Sequence, residues 1–275
     1  MAVVTISHQM GAGGPEIGMK LGQKMGYRYV DQELVLDVAR RYGVAEDKLS
    51  HLDESKPTLF ERFDTETRYY ITILQTSLLD FAELDNHVLM GRGGQWLLRG
   101  IPHVLRLRVI APFELRVKRW IKRTAEVTGE TPTQRAAADF VRRDDAEKAG
   151  RMRYLYEVDL ADPMLYDMTV SSERLGYDAA VEMIQSAISR PEMATTDAAR
   201  RIVASRALAS RVQVALAINA DTRRYRISVE AEDGVVTLEG TGALERAVEV
   251  ARDVPGVRLV TTRQLEVPPI PPFVA

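Results

Sequence analysis

Along residues 2–189 short apolar runs alternate with longer stretches in which apolar positions recur every three or four residues, the pattern of an α/β domain. The runs AVVTIS, YRYV, HVLMG, HVLRLRVIA and DMTVSS read as strands. They are rich in Val, Ile and Leu with little polar alternation, which predicts a sheet covered on both faces and therefore parallel. Helices are expected over Glu16–Met25, Gln32–Tyr42, Thr65–Leu84, Pro112–Thr124 and Gln134–Tyr156, with Tyr177–Ser189 as the closing helix. The amphipathic stretch Thr65–Leu84 carries Tyr69, Ile73, Leu74, Leu78 and Phe81, a set that either buries inside the monomer or forms a subunit interface.

The period changes after RPEMATTD, where a proline and small polar residues predict a linker over 190–196. Residues 197–267 then read as helix, two strands, helix and strand. The hairpin in YRISVEAEDGVVTLEGTG is set by Asp233-Gly234, a dipeptide suited to a tight turn with positive φ. Val235, Val236 and Leu238 support a half-buried hairpin, and Ala247, Val248, Val250 and Ala251 give the following helix its packing face. The end VPPIPPFVA, residues 268–275 in its larger part, is rich in proline and reads as an extended tail.

Composition narrows the chemistry. A formal net charge of −2 on 275 residues gives no basic bias toward nucleic acid or an anionic membrane. The absence of cysteine excludes disulfides and thiolate metal sites, and the four histidines are scattered without metal-ligand spacing. MAVVTISHQM lacks the basic start and longer apolar segment of a secretory signal, and no apolar run is long enough to span a bilayer. A cytoplasmic protein, away from membranes, is the expectation.

The candidate chemistry starts at SHQMGAGGPEIG, residues 7–18. Glycines between a strand and a helix let backbone N–H groups close around an anion, and the helix N-terminus adds partial positive charge. Laid on Gly13, the Walker pattern G-x-x-x-x-G-K-[ST] would put Gly14 at the lysine and Pro15 at the hydroxyl. Gly11, Ala12, Gly13 and Gly14 are the expected cradle, with His8 beside it. Pro15 is sterically suited to the first helical position. A turn without a ligand accounts for this stretch equally well on its own.

Three separated stretches extend the reading: ISHQMGAGGPEIGMKLGQKMGYRYVDQELV, HVLMGRGGQWLLRGIPHVLRLRVIAPFELRVKRW and DDAEKAGRMRYLYEVDLADPMLYDMTVSSERLGYDAAVEMI. Together they resemble the cytidylate-kinase-like family of P-loop proteins over roughly residues 1–189. The resemblance implies a P-loop kinase-like parallel sheet covered by helices, and a nucleoside monophosphate kinase activity with ATP as donor and Mg2+ entering with the nucleotide. In that family the loop commonly lacks the Walker lysine but carries an arginine where this chain has Pro15. Arg92 in MGRGG matches the family's Gly-Arg, which contacts the acceptor phosphate.

Arg116 and Arg119 in APFELRVKRW match A-x-x-x-R-x-x-R; at i, i+3 on a helix they share one face. The alternative for them is a solvated basic face, which is also the reading for Lys118. The lid candidate VRRDDAEKAGRMR has Asp145 and Lys148 where the family has D-x-x-R, with Arg143 and Arg151 nearby. Asp31 matches the family's Y-x-D and is otherwise an N-cap. Tyr166-Asp167 reads as structural. No strand ends in a Walker-B aspartate, and the loop hydroxyls are limited to Thr5 and Ser7, so protein ligands for a metal stay undetermined.

The stretch VEAEDGVVTLEGTGALERAVEVARDVPGVRLVTTRQLEV resembles a BON domain, which implies a small α+β unit, αββαβ, over 197–267. That family is associated with membranes, lipids or protein assembly. Without an export signal, a protein-interaction or ligand-sensing role is expected here, with a homo-oligomer or a protein partner. Three functions remain open from sequence: a phosphotransferase acting on CMP or a related nucleotide, a non-catalytic nucleotide sensor, and an oligomeric scaffold.

Overall fold

The computed structural model describes residues 2–31, 40–41, 65–91, 93–240 and 242–264. Most of the helix expected over 32–42, Arg92, and the tail 268–275 lie outside the described residues. The chain divides into two units, Met1–Ala199 and Arg200–Ala275. Among the described residues no helix is long and apolar enough to cross a membrane.

In the first unit five parallel strands follow the order β2-β3-β1-β4-β5. They are β1 (Val3–His8), β2 (Arg28–Val30), β3 (His87–Met90), β4 (Val104–Ile110) and β5 (Met168–Ser171). Central β1 pairs with β3 and β4, with Val3 opposite both His87 and Val104. The chain builds one side of β1 first and then crosses to the other, so β1 is the switch point of the sheet. The carboxyl ends beside such a switch form a ligand crevice.

Helices cover the sheet as its two-faced apolar strands require. α1 (Gly14–Met25) and the closing helix of this unit, Gly176–Ile188, share one core with the sheet, through Ile17, Leu21, Val181 and Ile184. Each such fully buried aliphatic side chain contributes about 1.5–3 kcal/mol. α2 (Thr65–Glu83) buries Ile73, Leu74, Leu78 and Phe81, so this face is consumed inside the unit. That burial removes those four side chains as an exposed subunit-interface stripe. A four-residue helix, α3 (Gly94–Leu97), follows β3 directly; it is too short to show a period in the sequence. α4 (Phe113–Thr128) and α5 (Gln134–Tyr156) pack on each other through Val117, Ala137 and Val141. α5 starts where Thr133 accepts a hydrogen bond from the Ala136 amide. The closing helix is α6.

The second unit is built on a three-stranded sheet ordered β6-β7-β8. α7 (Asp197–Ile218) contributes Leu208, Val212 and Leu216 to its core. β6 (Ile227–Glu232) and β7 (Val235–Gly240) are antiparallel, and β8 (Leu259–Gln264) lies parallel to β7 after α8 (Leu244–Arg252). Asp233 and Gly234 both take positive φ, 45° and 79°, as the tight hairpin turn requires. Val236 and Leu238 point inward and are fully buried, opposite Ala247 and Ala251 of α8.

Candidate functional site

The site grows from the turn between β1 and α1. The Ala12 amide donates to the Gln9 carbonyl at 3.0 Å, closing the turn, and Gly13 caps α1 with φ 89°. Pro15 occupies the first turn, where its missing N–H costs nothing. The glycines are also demanded by packing. A Cβ on Gly13 would lie 2.2 Å from the Tyr177 ring, and one on Gly11 would lie 2.5 Å from the Arg116 carbonyl oxygen.

Arg116 and Arg119 share one face of α4 as their spacing requires, and both turn toward the loop rather than toward solvent. Buried Arg116 donates to the carbonyls of Ala111 at 3.1 Å and Met10 at 3.2 Å, and to Asp145 Oδ2 at 2.6 Å. Asp145 Oδ1 accepts from the Met10 amide at 3.2 Å. Arg119 donates to Ser172 at 2.7 and 3.0 Å and to the Ala12 carbonyl at 3.4 Å, with its guanidinium 5.2 Å from the centre of the Tyr177 ring. In a planar trans peptide the C=O and the next N–H point in opposite directions. The two guanidiniums therefore hold the Met10 and Ala12 carbonyls and turn the amides of Gly11 and Gly13 the other way. Lys118 is exposed.

A cavity of about 380 Å3 opens at the carboxyl ends of the strands. It brings together His8, Asp31, Lys148 and Arg151 from the sequence-derived set, with Pro15 in its wall. Gly11, Ala12, Gly13, Gly14, Arg116 and Arg119 do not line it, and Arg92 is outside the described residues. Asp144, Lys148, Arg151 and Leu155 fall at intervals of four, three and four, with Met152 beside them, so one face of α5 closes the cavity. Arg143 is on the exposed side of that helix.

Lys148 pairs with Asp144 at 2.8 Å. His8 donates from Nδ1 to the Gln9 carbonyl at 3.1 Å in its neutral form. Burial first, and then the positive charge of Lys148, lower the His8 pKa from 6.5 to about 4, so the ring is neutral at pH 7 and its Nε2 is an acceptor. Its ring also lies against Gly14, where an added Cβ would meet it at 2.5 Å. Ser7 accepts from Arg108 Nη1 at 2.6 Å and lines the cavity.

Asp167 forms a two-pronged ion pair with Arg106 at 2.6 and 3.0 Å, which fits its structural reading. Among the described residues no group of three or more His, Cys, Asp or Glu side chains could hold a metal ion. The oxygen donors at the cavity, Ser7, Asp31 and Asp144, suit a magnesium ion that stays mainly on phosphate and water. Sequence reasoning did not single out Asp144 or Gln95. Asp144 had a signal, four residues before Lys148; Gln95 sits in the helix that has no period.

The first unit is a five-stranded parallel sheet with flanking helices, and the separate three-stranded region is that of a BON domain. Residues 3–174 match the model of the cytidylate kinase-like family, and 205–269 match that of the BON domain. The chain belongs to the cytidylate kinase-like family and carries a BON domain after it. A cytidylate kinase of Desulfurococcus amylolyticus is 26% identical over 191 residues, 69% of this chain and 94% of that one. One of Thermococcus kodakarensis is 24% identical over 189 residues, 68% and 87% of the two chains. The crystal structure of an uncharacterized protein from Eubacterium ventriosum shares the fold with a TM-score of 0.53 at 19% identity, over 69% of this chain and 99% of that one.

Proposed function

We propose that residues 1–189 form a nucleoside monophosphate kinase-type phosphotransferase, with ATP as donor and CMP or a related nucleotide as acceptor. The observation that carries this reading is the cavity itself, which joins His8, Met10 and Pro15, flanking the loop glycines, to Lys148 and Arg151 of α5 at the switch point of the sheet. The similarity to cytidylate kinases supports the choice of acceptor.

In the proposed reaction an oxygen of the acceptor phosphate attacks the γ-phosphorus, the bond to the β-phosphate oxygen breaks, and ADP leaves as the acceptor becomes a diphosphate. Phosphoryl transfer asks a protein mainly for alignment and for cations near the transferred group. Lys148 and Arg151 supply charge from the lid, and loop amides cradle phosphate. The family resemblance assigns Arg92 to the acceptor phosphate. Magnesium, carried by the nucleotide, would neutralise charge between the phosphates, with Asp31 and Asp144 orienting its water. Arg116 and Arg119 act by holding the loop in shape.

A second reading, a nucleotide sensor with little turnover, draws on three features of the loop. Pro15 stands in the cavity wall, His8 is neutral, and Asp145 already takes the Met10 amide. In either case the BON domain over 197–267, joined through 190–196, is proposed to make protein or oligomer contacts. Full-length protein with ATP, magnesium and each nucleoside monophosphate, followed by ADP release, tests the first reading. Absence of turnover with every acceptor overturns it; calorimetric binding without turnover leaves the sensor.

A further inference from the structure

Gln95 has no part in the reading above, yet it is the polar group most deeply set in the cavity wall. It lies in α3, just beyond the carboxyl end of β3, and only 2% of its surface is exposed. Its Nε2 is 3.9 Å from Met152 Sδ, a weak contact, and its Oε1 has no hydrogen-bond partner among the described residues. Burying an amide oxygen strips its water, and no described residue returns that cost. The cavity wall also includes the apolar side chains of Leu74, Met90, Met152, Leu155 and Leu160. A stretch of apolar wall that also carries a buried carboxamide suits a flat ring with a polar edge.

The phosphate end of the same cavity is marked by the loop and Lys148, so the ring would be the base of the bound nucleotide. We infer that Gln95 reads the edge of the acceptor base and selects one with an exocyclic amine beside an unprotonated ring nitrogen, as in cytosine, over uracil. The inference rests on the proposed nucleoside monophosphate site and adds its specificity-determining residue. Met152 sulfur is an acceptor, so it holds the NH2 side of the carboxamide, and Oε1 is the side left for a base in the chamber. There Oε1 accepts from the amine while Nε2 donates to the ring nitrogen. Uracil presents a carbonyl and an N–H in the reverse order. Pairing with it would turn the carboxamide over and set Oε1 against sulfur.

Calorimetry on the full chain with CMP, UMP and ribose 5-phosphate tests this. CMP is expected to bind about tenfold or more tightly than UMP, the scale on which a buried polar group left wrongly paired is felt. The 2-pyrimidinone ribonucleotide, which lacks the amine, should lose a similar factor on the wild-type protein. Gln95→Met keeps the volume and removes both hydrogen-bonding atoms. It should bring the CMP to UMP ratio to within about threefold, leave ribose 5-phosphate binding unchanged and not lower the melting temperature, because an orphaned amide is replaced by an apolar chain. Equal CMP and UMP affinity in the wild type overturns the inference, as does a ratio that survives Gln95→Met. Parallel loss of CMP and ribose 5-phosphate binding, or failure of the variant to fold, would make Gln95 a packing residue and also overturn it. If ribose 5-phosphate binds and no base is preferred, the nucleotide site stands without its reader; if no nucleotide binds at all, the site reading itself is lost.

Discussion

Removing the Asp145 carboxylate should loosen the glycine loop and measurably destabilise the first unit. Asp145 connects α5 to the loop twice, by accepting from the Met10 amide and by pairing with Arg116 at 2.6 Å. In Asp145→Ala the Arg116 guanidinium, whose side chain is only 6% exposed, loses its counter-charge. Breaking one side of a buried pair costs about 3–5 kcal/mol. Here the cost is lower, about 2–3 kcal/mol by the same reasoning, because Asp145 is 28% exposed and Arg116 keeps two carbonyl acceptors. With a urea dependence of about 1–3 kcal/mol per molar, the midpoint should fall by about 1 M. Both tryptophans, Trp96 and Trp120, lie in the first unit, so their fluorescence reports its unfolding selectively. Asp145→Asn keeps an oxygen for the Met10 amide and should lose about half as much. Arg116→Met combined with Asp145→Leu should cost less than Asp145→Ala alone, since no charge is left stranded. A midpoint for Asp145→Ala within about 0.2 M of the wild type, well below the denaturant shift expected, would refute the claim that this pair secures the loop.

Three further outcomes are expected. Lys148→Met should lower kcat/KM for phosphoryl transfer by about 100- to 1,000-fold, the usual effect of losing one electrostatic group at a transferring centre, with the urea midpoint little changed; an unaltered rate would exclude Lys148 from the chemistry. Pro15→Arg should raise kcat about tenfold or more by adding a cation at the loop; no rise in single-turnover measurements would mean that the proline is not what limits the reaction. Because the His8 pKa is lowered in the folded state, from 6.5 to about 4, the folded protein binds fewer protons than the unfolded chain across that interval. Its contribution is therefore complete above pH 6.5 and is lost as pH falls toward 4. His8 opens on the cavity and keeps some solvent, so the loss should be on the order of 1–2 kcal/mol, and His8→Asn should flatten the slope of stability between pH 7 and 5. An identical slope in the variant would contradict the assignment.

The architecture was readable because each element obeys a local rule. AVVTIS is apolar on both faces and lies at the centre of the sheet as β1, with HVLRLRVIA, which sets Arg106 and Arg108 on one face, beside it as β4; Asp233-Gly234 fixes the hairpin by turn chemistry alone. The helical period set Gln134–Tyr156 to its observed ends. α3 escaped because four residues do not complete a period. The site was legible in its parts but not in its arrangement. Spacing puts Arg116 and Arg119 on one face, while only the fold determines that this face meets the carbonyls of Met10 and Ala12. Sequence places His8 beside the glycine cradle, and burial next to Lys148 makes it a neutral acceptor. Gln95 reads as one more polar residue until the cavity leaves its oxygen without a partner.

The carbonyl-anchored loop changes how ionic strength should act on this protein. Arg116 and Arg119 influence an anion at one remove, by fixing and polarising peptide groups from behind the loop, with Arg116 buried and Arg119 half-buried. Lys148 faces an open cavity, where a Debye length of about 8–10 Å near physiological salt screens it. Salt therefore weakens the attraction that draws a phosphate toward the site and leaves the shape that receives it intact. Capture and seating of the anion are divided between two sets of cations, and only the first is exposed to the solution.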